Sequence, residues 1–548
     1  MDAIVAPYHW DNRKKVIDDY KMLQKVYEQQ LRELRLKLNK LHGVDHSLRY
    51  WRILIGPWLG AFLQMLFDRW FMLKQVIEGG MVEGCWILDR KNDYGIPTNM
   101  GHFVCLFTED AWNGKIYGQL IESFWKNKIK VVKINPEKFF IQPKKLNTVN
   151  GKAILNKIAQ TTASFFYPLF TKDNEIFFKS SYLTFKAEIN LQLRLGQFPK
   201  IWADVPAPKV KPDMEKRKWD PDFHYVRGTF SHVAHQLIPL NIPTAYLEGY
   251  ETLIEKINNL PWPRKPKAIF TSNSYTSDDT FKAWAAQKVE KGVPLIIGQH
   301  GGHFGMTPWS FFEDHQITIS DLWISWGWSD VNRPKVKPIG NLKEFCRRIN
   351  YDKKGDALMF GMSLPRYSYY MYAIPIASQW HSYFEDQFRF IRALPKTLQN
   401  KMLVRLYRAD YGNDQLKRWQ EQFPNVITDP GDRSIFSLVE KCRLVISTYN
   451  STTYLESLSW NVPTVIFWDP KYWELKEEVK PFFEQLILAG IFHETPESAA
   501  KHVASIWENV TDWWESDRVQ SVRRKFCKKF SYIPEKPLDK LEALLKNL

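Results

Sequence analysis

The sequence predicts an α/β protein of two Rossmann-like domains facing a cleft, and three observations carry that reading. Short apolar runs alternate with helix-length segments from Gly228 onward, the order expected of parallel sheets, in which each crossover needs a helix. The alternation occurs twice, divided by Asn332-Arg-Pro-Lys-Val-Lys-Pro338, whose prolines suit neither a helix nor a central strand. The length, 548 residues, fits two large domains with appendages at roughly 150 residues per domain. The expected division is residues 1–335 for a first domain that includes a helical region over 11–77. Residues 336–512 form a second domain, and 513–548 form helices that pack back on the first.

Residues 11–42 read as one helix, because Val16, Tyr20, Leu23, Tyr27, Leu31, Leu34 and Leu38 recur every three or four positions among charged residues. His42-Gly43 ends it. A second, strongly apolar helix runs from Trp51 to Ile77. Its run Ile53–Phe67 is 15 residues with a Gly-Pro inside, too short to span a bilayer, so a buried helix is expected and an interfacial one is the alternative. Beyond it, Cys85–Leu88, His102–Phe107 and Ile129–Ile134 read as strands and Trp112–Trp125 as a helix. The Pro- and Lys-rich stretch Pro199–Arg217 reads as loop. In the first domain, strands are expected at Ala268–Thr271, Pro294–Gly298 and Asp321–Trp326, with a helix over Asp278–Lys291. In the second, strands fall at Ala357–Gly361, Met402–Leu406, Val426–Thr428, Leu444–Ser447 and Thr464–Phe467. Helices are expected over Met371–Phe390, Gln415–Gln422, Ser434–Glu440 and Thr452–Trp460.

Composition narrows the partners. Hydrophobic residues at 44% and charged residues at 25% describe a folded globular chain. Seventy-six basic against 60 acidic side chains leave +16, which favours a polyanion: nucleic acid, an anionic membrane or a phosphorylated substrate. Five scattered cysteines without a CxxC pair exclude a disulfide scaffold and fit a reducing cytoplasm. The N-terminus has no apolar run after a basic start, so no secretory signal is expected.

The sharpest local feature is Leu444-Val-Ile-Ser-Thr-Tyr-Asn-Ser-Thr-Thr-Tyr-Leu-Glu456, a strand running into a hydroxyl-rich turn and then a helix. Free N–H groups and the positive dipole end at such a helix start suit a phosphate. Ser447, Thr448, Asn450, Ser451, Thr452 and Thr453 supply more donors than an N-cap alone requires, and Glu456 sits where a carboxylate would accept ribose hydroxyls. Neither GxGxxG nor a Walker motif is present. The second feature is Pro294-Leu-Ile-Ile-Gly-Gln-His-Gly-Gly-His-Phe-Gly305, a strand followed by a glycine-rich turn carrying Gln299, His300 and His303. Ligands bind beyond the carboxyl ends of such strands, glycine admits them close to the backbone, and histidine moves protons. A metal at the HxxH pair and two turn histidines capping backbone are the alternatives. Asn273, Asp278, Asp279 and Glu313-Asp314 are polar candidates nearby, with Asp279 and Glu313 taken as catalytic carboxylates beside His300. Across the cleft, Ser363, Arg366, Arg405 and Arg408 stand at strand ends where guanidinium forks match phosphate, surface salt bridges being the plainer alternative.

Several blocks together, Tyr50-Trp-Arg-Ile-Leu-Ile-Gly-Pro-Trp-Leu59, Gly298-Gln-His-Gly-Gly302, Ser325-Trp-Gly-Trp328, Ser447–Glu456 and Asn461-Val-Pro-Thr-Val-Ile-Phe-Trp-Asp469, resemble a family of bacterial surface-polysaccharide (O-antigen) transferases first recognised in Leptospira. The resemblance extends from about residue 8 to residue 530. It implies a GT-B glycosyltransferase with the donor nucleotide in the C-terminal domain. The hydroxyl-rich turn is also similar to that of GT-B enzymes using CMP-activated ulosonic acids, the sialic-acid and Kdo-type transferases. By that similarity Ser447–Thr453 hold the CMP phosphate and His300 assists at the phosphate or the reacting centre. The family often carries an acidic residue where this chain has Gln316, so Glu313 or Asp314 would substitute.

The expected function is therefore a metal-independent glycosyltransferase without cofactor, at the inner face of the cytoplasmic membrane. It would take a nucleotide-sugar donor, with CMP-ulosonate preferred and UDP- or GDP-sugar as alternatives. Its acceptor would be a lipid-linked oligosaccharide, with an anionic membrane as partner. A nucleic-acid-binding protein is the alternative of a different class. The absence of RNP, KH or zinc-finger patterns and of any concentrated basic run speaks against it.

Overall fold

The structure, a computed structural model, describes residues 4–89, 93–135, 172–219, 225–345 and 349–548. Helix α1 (Arg13–His42) is capped by the Asn12 side chain and closed by left-handed Gly43. Helix α2 (Leu48–Glu78) is capped by Ser47 and is buried on every face from Ile53 to Trp70. That explains its apolar run: α1, the helix Asp279–Glu290 and the helix Phe311–Ile319 all pack against it. Two glycines let them approach. A Cβ on Gly60 would lie 1.8 Å from the Phe311 ring, and one on Gly56 would lie 2.6 Å from the Tyr27 hydroxyl. No helix among the described residues is long and apolar enough to cross a membrane.

After α2 comes a small parallel pair, β1 (Gly84–Leu88) and β2 (Lys130–Ile134), backed by the helix Asp110–Phe124. The segment expected as a strand at His102–Phe107 is instead the helix Met100–Leu106. Asn99 caps it by accepting from the His102 N–H at 2.8 Å, and Met100, Phe103 and Leu106 fall on its buried face at helical spacing. The first large sheet has the order β3 (Ile176–Phe178), β4 (Ala268–Thr271), β5 (Leu295–Gly298), β6 (Leu322–Ser325), β7 (Val336–Pro338), all parallel. Strand β7 corrects the expected boundary at 335/336. The proline-rich stretch is an edge strand of the first sheet, where a missing N–H costs no ladder bond, and not a linker. Phe345 still belongs to the first domain's core, so the chain crosses over between it and β8.

The second sheet contains β8 (Asp356–Phe360), β9 (Met402–Arg405), β10 (Ile427–Asp429), β11 (Cys442–Ser447), β12 (Thr464–Phe467) and β13 (Phe492–His493) in the order β10-β9-β8-β11-β12-β13. All neighbours are parallel, which is the doubly wound order with its switch point between β8 and β11. The carboxyl ends of the two sheets meet across one cleft, the GT-B arrangement. The helix expected from Met371 begins only at Trp380. Residues 361–376 form instead an irregular strap, with Pro375 inside it, that buries Met371, Ala373 and Ile376 in the first domain's core. The terminal helices divide. Asp517–Phe530 packs on the second domain through Val519, Phe526 and Phe530, whereas only Pro537–Lys546 returns to the first, through Leu538, Leu541 and Leu545. The expectation that all of 513–548 packs on the first domain is corrected accordingly.

The strap is held by Arg69, which is fully buried on α2. Its Nη1 donates to Asp68 Oδ2 (3.0 Å) and to the carbonyl and hydroxyl of Ser368 on the strap (2.7 Å each). Its Nε and Nη2 donate to Asn113 (3.1 and 2.8 Å). Asp68 in turn accepts from Tyr8 and His9. Burial pushes the Asp68 carboxyl up, but the His9 hydrogen bond and the Arg69 charge outweigh it and hold it below the usual range. Removing one member of a buried, paired set strands the others. Arg69→Ala is expected to cost about 3–5 kcal/mol in denaturant unfolding; a loss under about 1 kcal/mol would show that the strap does not depend on it.

Candidate active site

The turn after β5 and the turn after β11 meet directly. A Cβ on Gly302 would lie 2.4 Å from the Ser451 carbonyl carbon and 2.6 Å from the Thr452 nitrogen, so only glycine permits this contact. Thr452 opens the helix Thr452–Ser459, and Ser451 stands at its N-cap without making a side-chain cap bond. The first N–H groups of that helix are therefore left without the usual capping side chain at the sheet's switch point. Beside them, Ser447 Oγ and Asn450 Nδ2 are buried with no hydrogen-bond partner among the described residues. Unsatisfied polar atoms of this kind are expensive unless a ligand completes them.

The remaining residues of the turn are committed to the protein. Thr448 Oγ1 donates to the Phe360 carbonyl at 2.9 Å and shares a hydrogen bond with Tyr383, tying β11 to β8. Thr453 pairs with Tyr449 (2.5 Å). Glu456 is buried in an ion pair with Lys343, which arrives from the first domain, so it is not an open ribose acceptor. Ser363 is fully buried, donating to the Asp410 carbonyl (3.1 Å) and accepting from Asn413 (2.9 Å). Arg366 is an exposed cross-domain pair with Asp110 (2.6 Å), away from the turn. Arg405 donates to the Gly431 and Arg433 carbonyls, and Arg408 is exposed at the rim, 4.0 Å from Asp432. Of the residues expected to bind the donor, Ser447, Asn450, Ser451 and Thr452 stand together at this turn, and Arg408 is exposed 4.0 Å from Asp432.

On the first domain's side, His300 is half-buried, its ring against Tyr182 and Tyr275 (centroids 6.0 Å each) and Phe304 (5.3 Å). Burial pushes its imidazole down to about 4, against a hydrogen bond to the Ser272 backbone, so the ring is neutral at pH 7. His303 stacks on Tyr372 of the strap (4.8 Å) and shares a hydrogen bond with Ser310 (3.1 Å). Burial and the neighbouring His300 push its ring down to about 3. It anchors the strap.

Gln299 is a correction to its expected place in the cleft. It is buried, donates to the Gly301 carbonyl (2.7 Å) and accepts from the Trp326 N–H (2.9 Å) and the Trp328 indole (3.0 Å), so it shapes the histidine turn. Asp279 is likewise buried and engaged, at the wall of the cavity that Asn273 lines. It accepts from Tyr246 (2.5 Å) and the Met100 N–H (2.7 Å) and pairs with Lys282 (2.7 Å).

Glu313 accepts from the Gly305 N–H (2.7 Å) and lies 3.2 Å from Arg333 and 3.7 Å from Lys476 of the second domain. Burial pushes its carboxyl up, with Lys476 and Arg333 pulling the other way. It braces the histidine turn, with its oxygens engaged by the Gly305 N–H, Arg333 and Lys476. Asp314 is held by Tyr20 (2.5 Å) and Arg333 (3.0 Å). Gln316 is fully buried between the Phe312 carbonyl and the Trp323 indole. Asn273 is exposed, lining a polar cavity of about 400 Å³ with Ser180, Asp204 and Asp278 beside the histidine turn.

Two residues at the cleft escaped the sequence reading. Tyr182 follows β3, a strand of three residues too short for a periodic signal, and takes a positive φ of 66°. Lys343 lies in the short turn Leu342–Glu344 just past the misread linker. Its charge lowers the Tyr182 hydroxyl against a larger rise from burial, which places the two near one another. Among the described residues, no three His, Cys, Asp or Glu side chains converge as a metal site requires.

Residues 2–545 match the model of a family described as LIC12162 family transferase. Among solved structures, the chain is similar to the wall teichoic acid polymerase TagF at 11% identity, over 73% of this chain and 98% of that one, with a TM-score of 0.33. It is similar to MurG of Acinetobacter baumannii at 9% identity, over 68% and 100%, with a TM-score of 0.34. The same holds for an α,α-trehalose-phosphate synthase (UDP-forming) from Burkholderia vietnamiensis at 11% identity, over 68% and 99%, with a TM-score of 0.36. No curated protein matches the chain.

Two outcomes are expected from this geometry. Gly302→Ala drives a methyl group into the Ser451–Thr452 backbone and should destabilise by about 1–3 kcal/mol, seen as a lower melting point. A variant indistinguishable from wild type would show that the two turns are not in contact. The second concerns pH. His315 is buried and His300 and His303 are half-buried, and burial lowers their values to about 3, 4 and 3, below the usual 6.5 that they regain on unfolding. The unfolded chain therefore binds more protons, and stability is full above pH 6.5 and declines as pH falls toward 4. Melting points flat from pH 7 to pH 5 would contradict this.

Proposed function

Because the chain belongs to the LIC12162 family of transferases and has the two-domain GT-B arrangement, we propose that it is a glycosyltransferase moving a sugar from a nucleotide donor to a lipid-linked glycan. The observation that carries this reading is the apposition of the His300 turn on the uncapped start of the helix Thr452–Ser459 at the switch point. The donor phosphate sits at that helix start, taking its N–H groups and the hydroxyls of Ser451 and Thr452, with Ser447 and Asn450 completing the cradle. The acceptor enters over the carboxyl ends of β3–β5. Its hydroxyl attacks the anomeric carbon as the bond to the donor phosphate breaks. The proton passes to neutral His300, and the negative charge stays on the departing nucleotide, where the helix dipole stabilises it. An anionic donor beside His300 raises the imidazole's low value toward the working range. The reaction is proposed to need no metal.

The finer proposal is a CMP-activated ulosonic acid as donor and a surface polysaccharide as product, from the resemblance of the turn after β11. UDP- or GDP-sugar is the competing donor. A lipid-linked acceptor places the protein against an anionic membrane surface, consistent with its +16 charge.

Thermal shifts with CMP, UDP, GDP and CDP discriminate the donors, since a ligand bound only by the folded state raises its melting point. Ser451→Ala with Thr452→Ala should weaken the preferred nucleotide by about 3–6 kcal/mol if both hydroxyls bond the phosphate. Unchanged affinity in a folded variant would remove the cradle. His300→Ala should cut turnover about 10²–10⁴-fold, with the melting point nearly unchanged. Full activity would end the catalytic assignment, and a variant that unfolds would make His300 structural.

A further inference from the structure

Among the described residues, the β1–β2 pair is covered on one face only. The helix Asp110–Phe124 packs against it, with Gly118 close to Ile87, while the opposite face is open. Trp86 and Val132 are register partners on that open face, 71% and 39% exposed. Met81 and Val82, on the approach to β1, add 57% and 36%. A tryptophan this exposed, with Val132 beside it in the ladder, does not serve the core.

Basic side chains lie around it, with exposed Glu83 among them. Lys126 and Lys130 are exposed and form no ion pair among the described residues, whereas Lys128 and Lys133 lie against Glu78 and Glu122. The surface continues past Lys128 into a groove of about 660 Å³ whose walls include Trp125 and Phe124 and whose rim carries Lys74 and Arg227. Lys74 rides 5.2 Å above the Trp70 ring, its stem along apolar surface and its charge outward. Apolar side chains ringed by lysine, with an interfacial tryptophan at the centre, match the boundary of a bilayer. There the indole sits at headgroup depth and the amines meet phosphate.

We propose that the open face of the β1–β2 pair is the membrane-docking surface of this protein, seating Trp86 and Val132 in an anionic bilayer. The adjoining basic groove receives lipid headgroup phosphates. This rests on the membrane-facing acceptor proposed above and names the surface that serves it.

The test is flotation of the full chain with vesicles of phosphatidylcholine alone or mixed with phosphatidylglycerol. Three variants are compared with wild type: Trp86→Ser with Val132→Ser, Lys126→Glu with Lys130→Glu, and Leu488→Ser, a control at an exposed apolar residue elsewhere. All the altered side chains are exposed, so the melting points should match wild type. The expected result is wild type and Leu488→Ser floating with the anionic vesicles, and at least about tenfold weaker partitioning by both double variants. Nucleotide-induced thermal shifts should be the same in all four. Equal flotation of all four overturns this surface while leaving a membrane role intact. Wild type that floats with neither vesicle overturns both. Self-association lost in Trp86→Ser with Val132→Ser, without flotation, would assign the face to a second copy of the chain.

Discussion

The buried guanidinium of Arg69 is the constraint on which the rest of the molecule depends. A charge without water must find a partner for each donor, and Arg69 finds them on three elements: Asp68 beside it on α2, Asn113 on the neighbouring helix, and Ser368 on the second domain's strap. Satisfying one residue therefore sets how the domains stand to one another. Around it the strap adds Gln64 donated to by the Met371 N–H, Tyr369 stacked on Phe107 (5.4 Å), and Tyr372 stacked on His303. Arg13 binds Glu474 and Gln379 from the far side (2.6 and 3.1 Å). With the domains held this way, the contact of Gly302 on Ser451 is a fixed feature of the cleft.

The electrostatics of the cleft follow from that closeness. The histidines are neutral because burial disfavours the imidazolium, and the carboxylates nearby are spent on holding backbone and cations. Glu313 illustrates the division of labour. It grips the Gly305 N–H and faces Lys476 of the second domain, whose own N–H donates to the Met306 carbonyl (2.9 Å). It thus positions the turn that carries His300 without itself reaching the cleft. Lys343 and Glu456 play the corresponding part beside the turn after β11, a cross-domain pair at the helix Thr452–Ser459. Among the described residues, the start of the helix Thr452–Ser459, Ser447 Oγ and Asn450 Nδ2 are left without side-chain partners.

Much of this was legible in the sequence. The period of α1, the all-round apolarity of α2, the strand–helix alternation and the two turns at the ends of β5 and β11 stand where hydrophobic pattern and turn chemistry put them. Those signals are local, so neighbouring residues suffice to read them. Strands β3 and β13, of three and two residues, carry no period and were not legible; the proline stretch that is β7 looked like a linker, because an edge strand tolerates proline. His102–Phe107 read as a strand, yet the Asn99 cap made it a helix. The roles of the polar residues depend wholly on tertiary placement. Thr448, Glu456, Ser363, Arg366, Gln299 and Asp279 have the chemistry of a binding site, and each was claimed by a partner distant in sequence. By itself the sequence determined the two sheets and the two turns that face each other. The tertiary structure alone decided which polar groups remain open to a ligand, since a hydrogen-bond partner a hundred residues away leaves no mark on the local pattern.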